Sequence, residues 1–449
     1  MGGAPRSRTG KAIVKLLVCA YACNPFRGSE EAVGWEWVTR LARDHDVTVL
    51  TAGFNQREIE EQRDASPRIR YCYVPARWWD YQPVGCWKKI EQSALKPLMN
   101  FAYVAWQKRA LRVAREILST ERFDVVHQLT YVGYRFPGRL WTLGLPFVWG
   151  PIGGLENTPW PLLPAMGVRG ATFYAGRNLV NAAQRRWLRS PRRALEAAGP
   201  GVIAATGGTA RVLQDFYGRS STVISEVVAP TGMDTVQLPR RETGQPLQLV
   251  WSGLHLPGKA LNLLLRALTR LPAGTEWRLD VLGDGPLREG WIRLARRLAI
   301  DGKCQWYGQV SRAHALQVMG NAHVLVISSL KDLTSTVLVE GLALGLPVVC
   351  PDHCGFSDAI TDACGIKVPL KDVESLVAGL AAAITELAED EPRRHQMGWA
   401  ALERARDYRW ENKKNRLDRV YQETIRWHEQ CQGRLPSRTE EAASPDSSR

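Results

Sequence analysis

Short runs of apolar, partly β-branched residues recur along this chain, each giving way to a loop of small residues and then a helical stretch. The first is Ile13-Val14-Lys15-Leu16-Leu17-Val18-Cys19-Ala20. A run of that length without polar alternation reads as a strand buried on both faces, the mark of a parallel sheet covered by helices on each side. Val47 to Thr51, Phe123 to Gln128, Pro146 to Gly150, Val202 to Thr206 and Thr222 to Ile224 repeat the pattern. Leu238 to Pro246 has the composition of a linker, after which the alternation restarts at Gln248 to Gly253. It continues through Arg278 to Gly283, Val324 to Ser328 and Pro347 to Cys350. Strands alternating with helices build right-handed βαβ units. The expected fold is therefore α/β, two Rossmann-like doubly wound domains in tandem facing each other across a cleft. A mostly helical stretch follows from Val373 to Gln430, broken near Pro392 and Tyr408-Arg409-Trp410. Ligands of such sheets bind beyond the carboxyl ends of the strands, so the loops after Val18, Val126, Trp149, Val250, Leu282, Ile327 and Val349 are where chemistry is expected.

A chain of 449 residues is too long for one hydrophobic core, which agrees with that division. Its formal charge of +14 is uneven: residues 1–243 carry 33 basic and 20 acidic side chains, residues 244–449 carry 26 and 25. The first half is expected to meet something anionic: nucleic acid, an acidic membrane or a phosphorylated substrate. No run of eighteen apolar residues is present, so no spanning helix is expected. Met1 to Gly10 lacks the apolar core of a secretory signal, and Arg6 breaks the myristoylation pattern. Nine scattered cysteines point to reduced thiols in a cytoplasmic protein. Cys19/Cys23 and Cys350/Cys354 lack the paired knuckle spacing of structural zinc and read as buried thiols; no metal site and no cofactor is expected.

The specific residues lie in the second half. Ser252-Gly253-Leu254-His255-Leu256-Pro257-Gly258-Lys259 is followed by Leu282-Gly283-Asp284-Gly285-Pro286 and Trp306-Tyr307-Gly308. Ile327-Ser328-Ser329 then leads into Asp332-Leu333-Thr334-Ser335-Thr336-Val337-Leu338-Val339-Glu340-Gly341, and the series closes on Gly345-Leu346-Pro347. Gly283-Asp284-Gly285 is no dinucleotide fingerprint, because Arg288 stands where the third glycine belongs. The ordered series resembles the donor-binding domain of the retaining nucleotide-sugar glycosyltransferases of glycosyltransferase family 4, which have the GT-B fold. The first half agrees more loosely, through Gly28-Ser29-Glu30-Glu31, Asp124-Val125-Val126-His127 and Pro230-Thr231-Gly232-Met233-Asp234. On this resemblance, residues 11–240 form the acceptor-side domain and 247–400 the nucleotide-sugar donor domain. A C-terminal helical segment over 401–431 is free to return to the first domain, and 1–10 and 432–449 are expected to be disordered.

A departing nucleoside diphosphate needs positive charge, which Lys259 offers as a point charge. The family usually carries arginine at the position of Leu254, and His255 is the candidate to replace it. The resemblance implies that Glu340 accepts the ribose hydroxyls and that Asp332, at the first acidic position of the motif, contacts the sugar hydroxyls or stabilises the anomeric carbon. Backbone N–H groups of Thr336 and Val337 at a helix N-terminus would hold the β-phosphate, with Gly253, Gly283, Gly28 and Ser29 in the donor loops. His127, at a strand end, would face the donor sugar as a catalytic residue, and Glu156 in Gly153-Gly154-Leu155-Glu156 would contact acceptor. The implied activity is retaining, metal-independent transfer of a hexose to a glycan acceptor. A second reading, motivated by Leu254 and Asp332, is a GT-B-like scaffold or membrane-binding subunit with weakened catalysis.

The basic residues of the first half form two clusters. Lys88, Lys89, Lys96, Lys108, Arg109, Arg112 and Arg115 follow Trp78, Trp79 and Tyr81; Arg177, Arg185, Arg186, Arg189, Arg192 and Arg193 surround Trp187 and Leu188. Aromatics beside arginine and lysine fit an anionic membrane surface and a lipid-linked glycan acceptor; a solvated basic helix packed on the first domain fits as well. Nucleic acid ranks last, since no nucleic-acid motif accompanies the charge. The expected place is cytoplasmic or peripheral on the membrane.

Overall fold

The computed structural model describes residues 13–28, 30–62, 69–75, 77, 97–230, 238–239, 241–242 and 244–433. Ser29, Trp78, Trp79, Tyr81, Lys88, Lys89, Lys96, the turn at 231–234 and the two terminal stretches lie outside the described residues.

The first sheet holds β1 (Lys15–Ala20), β2 (Asp46–Ala52), β3 (Ile69–Val74), β4 (Val125–Thr130), β5 (Phe147–Ile152), β6 (Val202–Ala204) and β7 (Thr222–Val223). Their order is β3-β2-β1-β4-β5-β6-β7, and neighbouring strands pair in parallel. Its connections carry α1 (Glu30–Leu41), α2 (Gln56–Glu60), α3 (Pro97–Leu118), α4 (Gly167–Trp187), α5 (Arg189–Ala198) and α6 (Gly207–Tyr217). The second sheet holds β8 (Leu247–Ser252), β9 (Trp277–Leu282), β10 (Cys304–Gly308), β11 (Val324–Val326), β12 (Val348–Pro351) and β13 (Gly365–Val368), in the order β10-β9-β8-β11-β12-β13. It is wrapped by α7 (Leu261–Leu268), α8 (Arg288–Arg297), α9 (Arg312–Gly320), α10 (Thr336–Ala343), α11 (Cys354–Ala359), α12 (Val373–Glu389) and α13 (Glu391–Arg406). Both sheets are doubly wound in the same sense, and each reverses direction beside its first strand.

The unbroken apolar runs are explained by two-sided burial. In β1, Leu17 and Cys19 pack towards Tyr103 and Trp106 of α3, whereas Leu16, Val18 and Ala20 pack in a core with Trp37 of α1. In β8, Leu249 and Trp251 join one core and Val250 the other. The last helix, α14 (Trp410–Gly433), leaves the second domain and covers the first. Its Trp410 meets Trp37 edge to face, Asp418 bonds His45 at 3.2 Å, and Leu417, Val420 and Tyr421 are buried with Leu16 and Val18. Each such side chain contributes about 1.5–3 kcal/mol by burial, enough to fix the helix on the first sheet. Proline 97, which would break a helix interior, stands at the start of α3, where its missing N–H costs nothing.

Candidate functional site: the loops between the two sheets

The loops at the switch point of the second sheet are stitched to one another. Ser328 accepts a hydrogen bond from Trp251 Nε1 at 3.0 Å and donates to the Lys259 carbonyl at 2.9 Å. Leu330 N–H donates to the Gly258 carbonyl at 2.8 Å. These bonds hold the loop after β8 against the loop after β11, and the result is an ion pair between Lys259 Nζ and Asp332. Two residues 73 positions apart in sequence thus share one site. Gly253 N–H donates to the Leu282 carbonyl at 3.1 Å, and Gly283 crosses directly over Gly253. Gly283 takes φ +108, and a Cβ there would collide with the Gly253 carbonyl, so only glycine fits.

Asp332 leads into α10, whose N-terminus is open: Thr336 is exposed, and Ser335 before it makes no side-chain cap. Ser335 holds φ +72, a conformation that favours glycine, where the resembling family has Gly-Phe-Gly. Unsatisfied N–H groups at such an end attract anions. Glu340 lies one turn inside the helix rather than at its start; it is buried and accepts a hydrogen bond from Arg312 Nε at 2.7 Å. Burial raises its pKa, and Arg312 opposes that rise.

Across the cleft, Glu156 sits where the two sheets approach. Its backbone carbonyl accepts from Lys331 Nζ, and its carboxylate accepts from the Thr206 hydroxyl. Glu156, His353 and Cys354 place ligand-type atoms within 4.8 Å of one another. Burial pushes the Cys354 thiol up to about 12 and Lys331 contributes positive charge beside it; both work against a cation. Burial also lowers the pKa values of Lys331 and His353, and His353 Nε2 has no hydrogen-bond partner. Nearby, Gly207 N–H donates to Asp358 at 2.6 Å, a second link between the halves.

A third link runs through the strand leaving β7. Buried Glu226 accepts from Thr334 N–H and from the Thr334 hydroxyl, each at 3.0 Å. Lys413 of α14 donates to the carbonyls of Ser225, at 2.8 Å, and Val227. Burial raises the pKa of Glu226 and pulls that of Lys413 down. The loop before α10, the interdomain segment and the returning helix are therefore one buried polar network.

Two histidines stand elsewhere than expected. His127 does not face the cleft: it is fully buried, with Nδ1 2.8 Å from the Tyr421 hydroxyl and Nε2 2.9 Å from the Gly150 carbonyl. Both ring nitrogens are occupied, and burial pulls its pKa down to about 4, so it is a core histidine that ties β4 to β5 and α14. His255 does not replace the missing arginine. Its ring is buried among Trp251, Trp291 and Trp306, and burial lowers its pKa to about 4. A neutral imidazole inside an aromatic cage clamps no phosphate. Leu254, by contrast, is 57 % exposed beside the same loop. Gly28 is exposed with no atom near its missing Cβ, so nothing packed around it demands glycine; the close approach belongs to Gly34, which α1 uses to pass the Ala22 carbonyl. Sequence reading missed Lys331, His353, Arg312 and Glu226. The first two lie in loops after β11 and β12, which strand-end logic already marks; Arg312 and Glu226 carry no local signal.

Two doubly wound sheets whose switch-point loops meet across one cleft define the GT-B fold. Residues 240–404 match the family described as glycosyl transferases group 1. A D-inositol 3-phosphate glycosyltransferase of Kribbella flavida is 32% identical over 231 residues, covering 47% of this chain and 53% of that protein. The chain spans about half the length of the curated relatives it matches. Among solved structures, sucrose-phosphate synthase of Thermosynechococcus elongatus aligns with a TM-score of 0.60 at 16% identity, over 91% of this chain and 98% of that one. Anabaena HepE in complex with UDP aligns at 0.55 and 15% identity, with the same coverage of both chains.

Proposed function

We propose that this chain is a retaining, metal-independent hexosyltransferase that moves a hexose from a nucleotide diphosphate sugar to a glycan acceptor, lipid-linked in polysaccharide biosynthesis. The observation that carries the reading is the convergence of Lys259, Asp332 and the open N-terminus of α10 at the switch point of the second sheet. A HepE structure that holds UDP has the same fold, which supports a uridine or related diphosphate donor.

In this reading Lys259 and the N–H groups of Thr336 and Val337 receive the diphosphate, and Glu340 accepts the ribose hydroxyls. Asp332 shares Lys259 with the diphosphate and faces the sugar. The bond from the anomeric carbon to the leaving phosphate oxygen breaks while the acceptor oxygen bonds on the same face, and the acceptor proton passes to the leaving phosphate. Glu156, backed by Thr206 and Lys331, stands on the acceptor side of that event. Neither His127 nor His255 takes part, since neither reaches the cleft.

A thermal-shift screen with uridine, guanosine and adenosine diphosphate sugars, joined to an assay of nucleoside diphosphate release, tests the reading. The matching donor at ten times its Kd is expected to raise the melting temperature by roughly 2 °C. No shift and no diphosphate release with any of them would overturn it in favour of a scaffold subunit, the reading that the exposed Leu254 favours.

A further inference from the structure

Helix α4 is built inside out. Ala171, Tyr174 and Ala175 of its first turns pack on the core, but from Asn178 onward its inward face is polar: Asn178 accepts from Thr158 N–H at 3.0 Å and donates to the Thr158 carbonyl at 2.8 Å. Asn181 donates to the carbonyl of Leu155 at 3.1 Å and to the Asn157 side chain at 2.7 Å, and accepts from the Tyr134 hydroxyl at 2.8 Å. Gln184 and Arg185 bond Arg135 and the Leu155 carbonyl from the same side. The apolar residues point out. Val168 is 83 % exposed, Phe173 62 %, Leu179 63 % and Trp187 74 %, with Val180 between them. At 100° per residue, these five fall within about 140° of one another, the width of an apolar stripe that normally faces a core. Large apolar stripes turned to solvent mark contact surfaces, and here the stripe belongs to a helix that is fully anchored on its other side.

Charge says what covers it. Between Asn157 and Leu195 the chain has seven arginines and no aspartate or glutamate. Among the described residues, no ion pair holds Arg169, Arg186, Arg189 or Arg193. Two residues beyond Trp187, α5 begins at Arg189 beside a cavity of about 530 Å³. Its walls combine Tyr103, Phe136 and Trp141 with Arg139, Arg189 and Arg193. An apolar face continuous with unpaired guanidinium groups, with a tryptophan at the junction, matches the acyl and headgroup layers of an anionic bilayer. No helix among the described residues is long and apolar enough to cross a membrane, so the contact is one of lying on the surface.

We infer that the acceptor-side domain docks on an anionic phospholipid bilayer through the outward face of α4, with the basic cavity at the start of α5 receiving lipid headgroups. The inner face of α4 braces residues 155–158, the loop that carries Glu156. Near its start, Gly170 packs on Pro257 and Tyr174 on Gly258 of the donor loop. Docking therefore sets the cleft mouth at the bilayer surface, where a lipid-linked glycan is presented. The inference deepens the proposed acceptor and rests on that reading for its purpose, but the binding itself is read without any sugar transfer.

The test is sedimentation of the full chain with phosphatidylglycerol–phosphatidylcholine vesicles and with phosphatidylcholine vesicles alone. Binding to the anionic vesicles at 0.05 M salt is expected to weaken about tenfold or more at 0.5 M, because partly exposed arginines supply the attraction. The triple variant Phe173→Ser, Leu179→Ser, Trp187→Ser is expected to lose binding at both salts while keeping its melting temperature and its donor-dependent thermal shift. The pair Arg189→Ser, Arg193→Ser is expected to keep residual binding and to lose the preference for phosphatidylglycerol. Failure of the native chain to sediment with anionic vesicles at low salt overturns the inference. So does unchanged binding by the triple variant. A concentration-dependent dimer that the triple variant abolishes, without vesicle binding, overturns it in favour of a second copy as the occupant. In each of these outcomes a retained donor shift leaves the transferase reading standing, whereas vesicle binding without any donor shift removes that reading and keeps the surface.

Discussion

The two halves share a strand order and differ in how they use charge. Around the second sheet, ions come in pairs: Lys259 with Asp332, Arg312 with Glu340, Arg394 with Glu391, and Arg266 and Arg270 with Glu374. Around the first, Arg169, Arg186, Arg189 and Arg193 extend without acidic partners among the described residues. The near-neutral half is the one with the features of a diphosphate site. The excess of positive charge in the other half is thus not explained by a nucleotide; it belongs to an outer surface. The first half has ion pairs of its own, such as Lys15 and Arg70 with Glu121 and Arg27 with Glu58, so the contrast lies in the arginines of α4 and α5 rather than in the whole domain.

The largest expected effect tests the paired half. Glu340→Ala should lower transfer by about 100-fold and abolish the donor-dependent thermal shift, as loss of a positioned polar contact does at a reacting site. Arg312 is 59 % exposed and tolerates the loss of its partner, so the melting curve without donor should stay near native. Normal turnover in that variant would remove the ribose assignment. Next is the junction of the halves. Lys413→Met leaves Glu226 buried without its cation and should cost about 3 kcal/mol in urea unfolding. A smaller loss would mean that the halves are joined mainly by apolar contact.

A histidine of the acceptor half gives the third comparison. Burial depresses the His127 pKa to about 4, against about 6.5 when unfolded. Its contribution is complete above pH 6.5 and is lost as pH falls toward 4, because the unfolded chain takes up the proton first. The stability gap between native protein and His127→Gln, about 1–2 kcal/mol at pH 8, should therefore close across that window. A catalytic histidine would instead lose turnover with little change in unfolding. The smallest effect is expected from Leu254→Arg, which places a guanidinium where the resembling family has one and should tighten donor binding by about tenfold or less. Weaker binding would show that this chain's donor loop has settled into a different geometry.

The strand-end loops of the second half were legible because their logic is local. Residues 253–259 and 332–340 each lie within one strand-loop-helix unit, and strand-end geometry aims such loops at the cleft whatever surrounds them. His127 was not legible. Its partner Tyr421 is 294 residues away on a helix that returns from the other domain, and without that helix in view the family resemblance set the histidine against the donor sugar. His255 failed for a similar reason, since Trp291 and Trp306, which enclose it, come from other βα units.

The outward face of α4 shows the same division most plainly. Sequence by itself determined the two-sheet α/β plan and the placing of charge in the first half, because these follow from hydrophobic period and composition. Which side of α4 faces in was decided only by tertiary structure. Buried amides require partners, and Thr158, Leu155 and Tyr134 supply them, so the asparagines turn inward and Phe173, Leu179 and Trp187 are left outside.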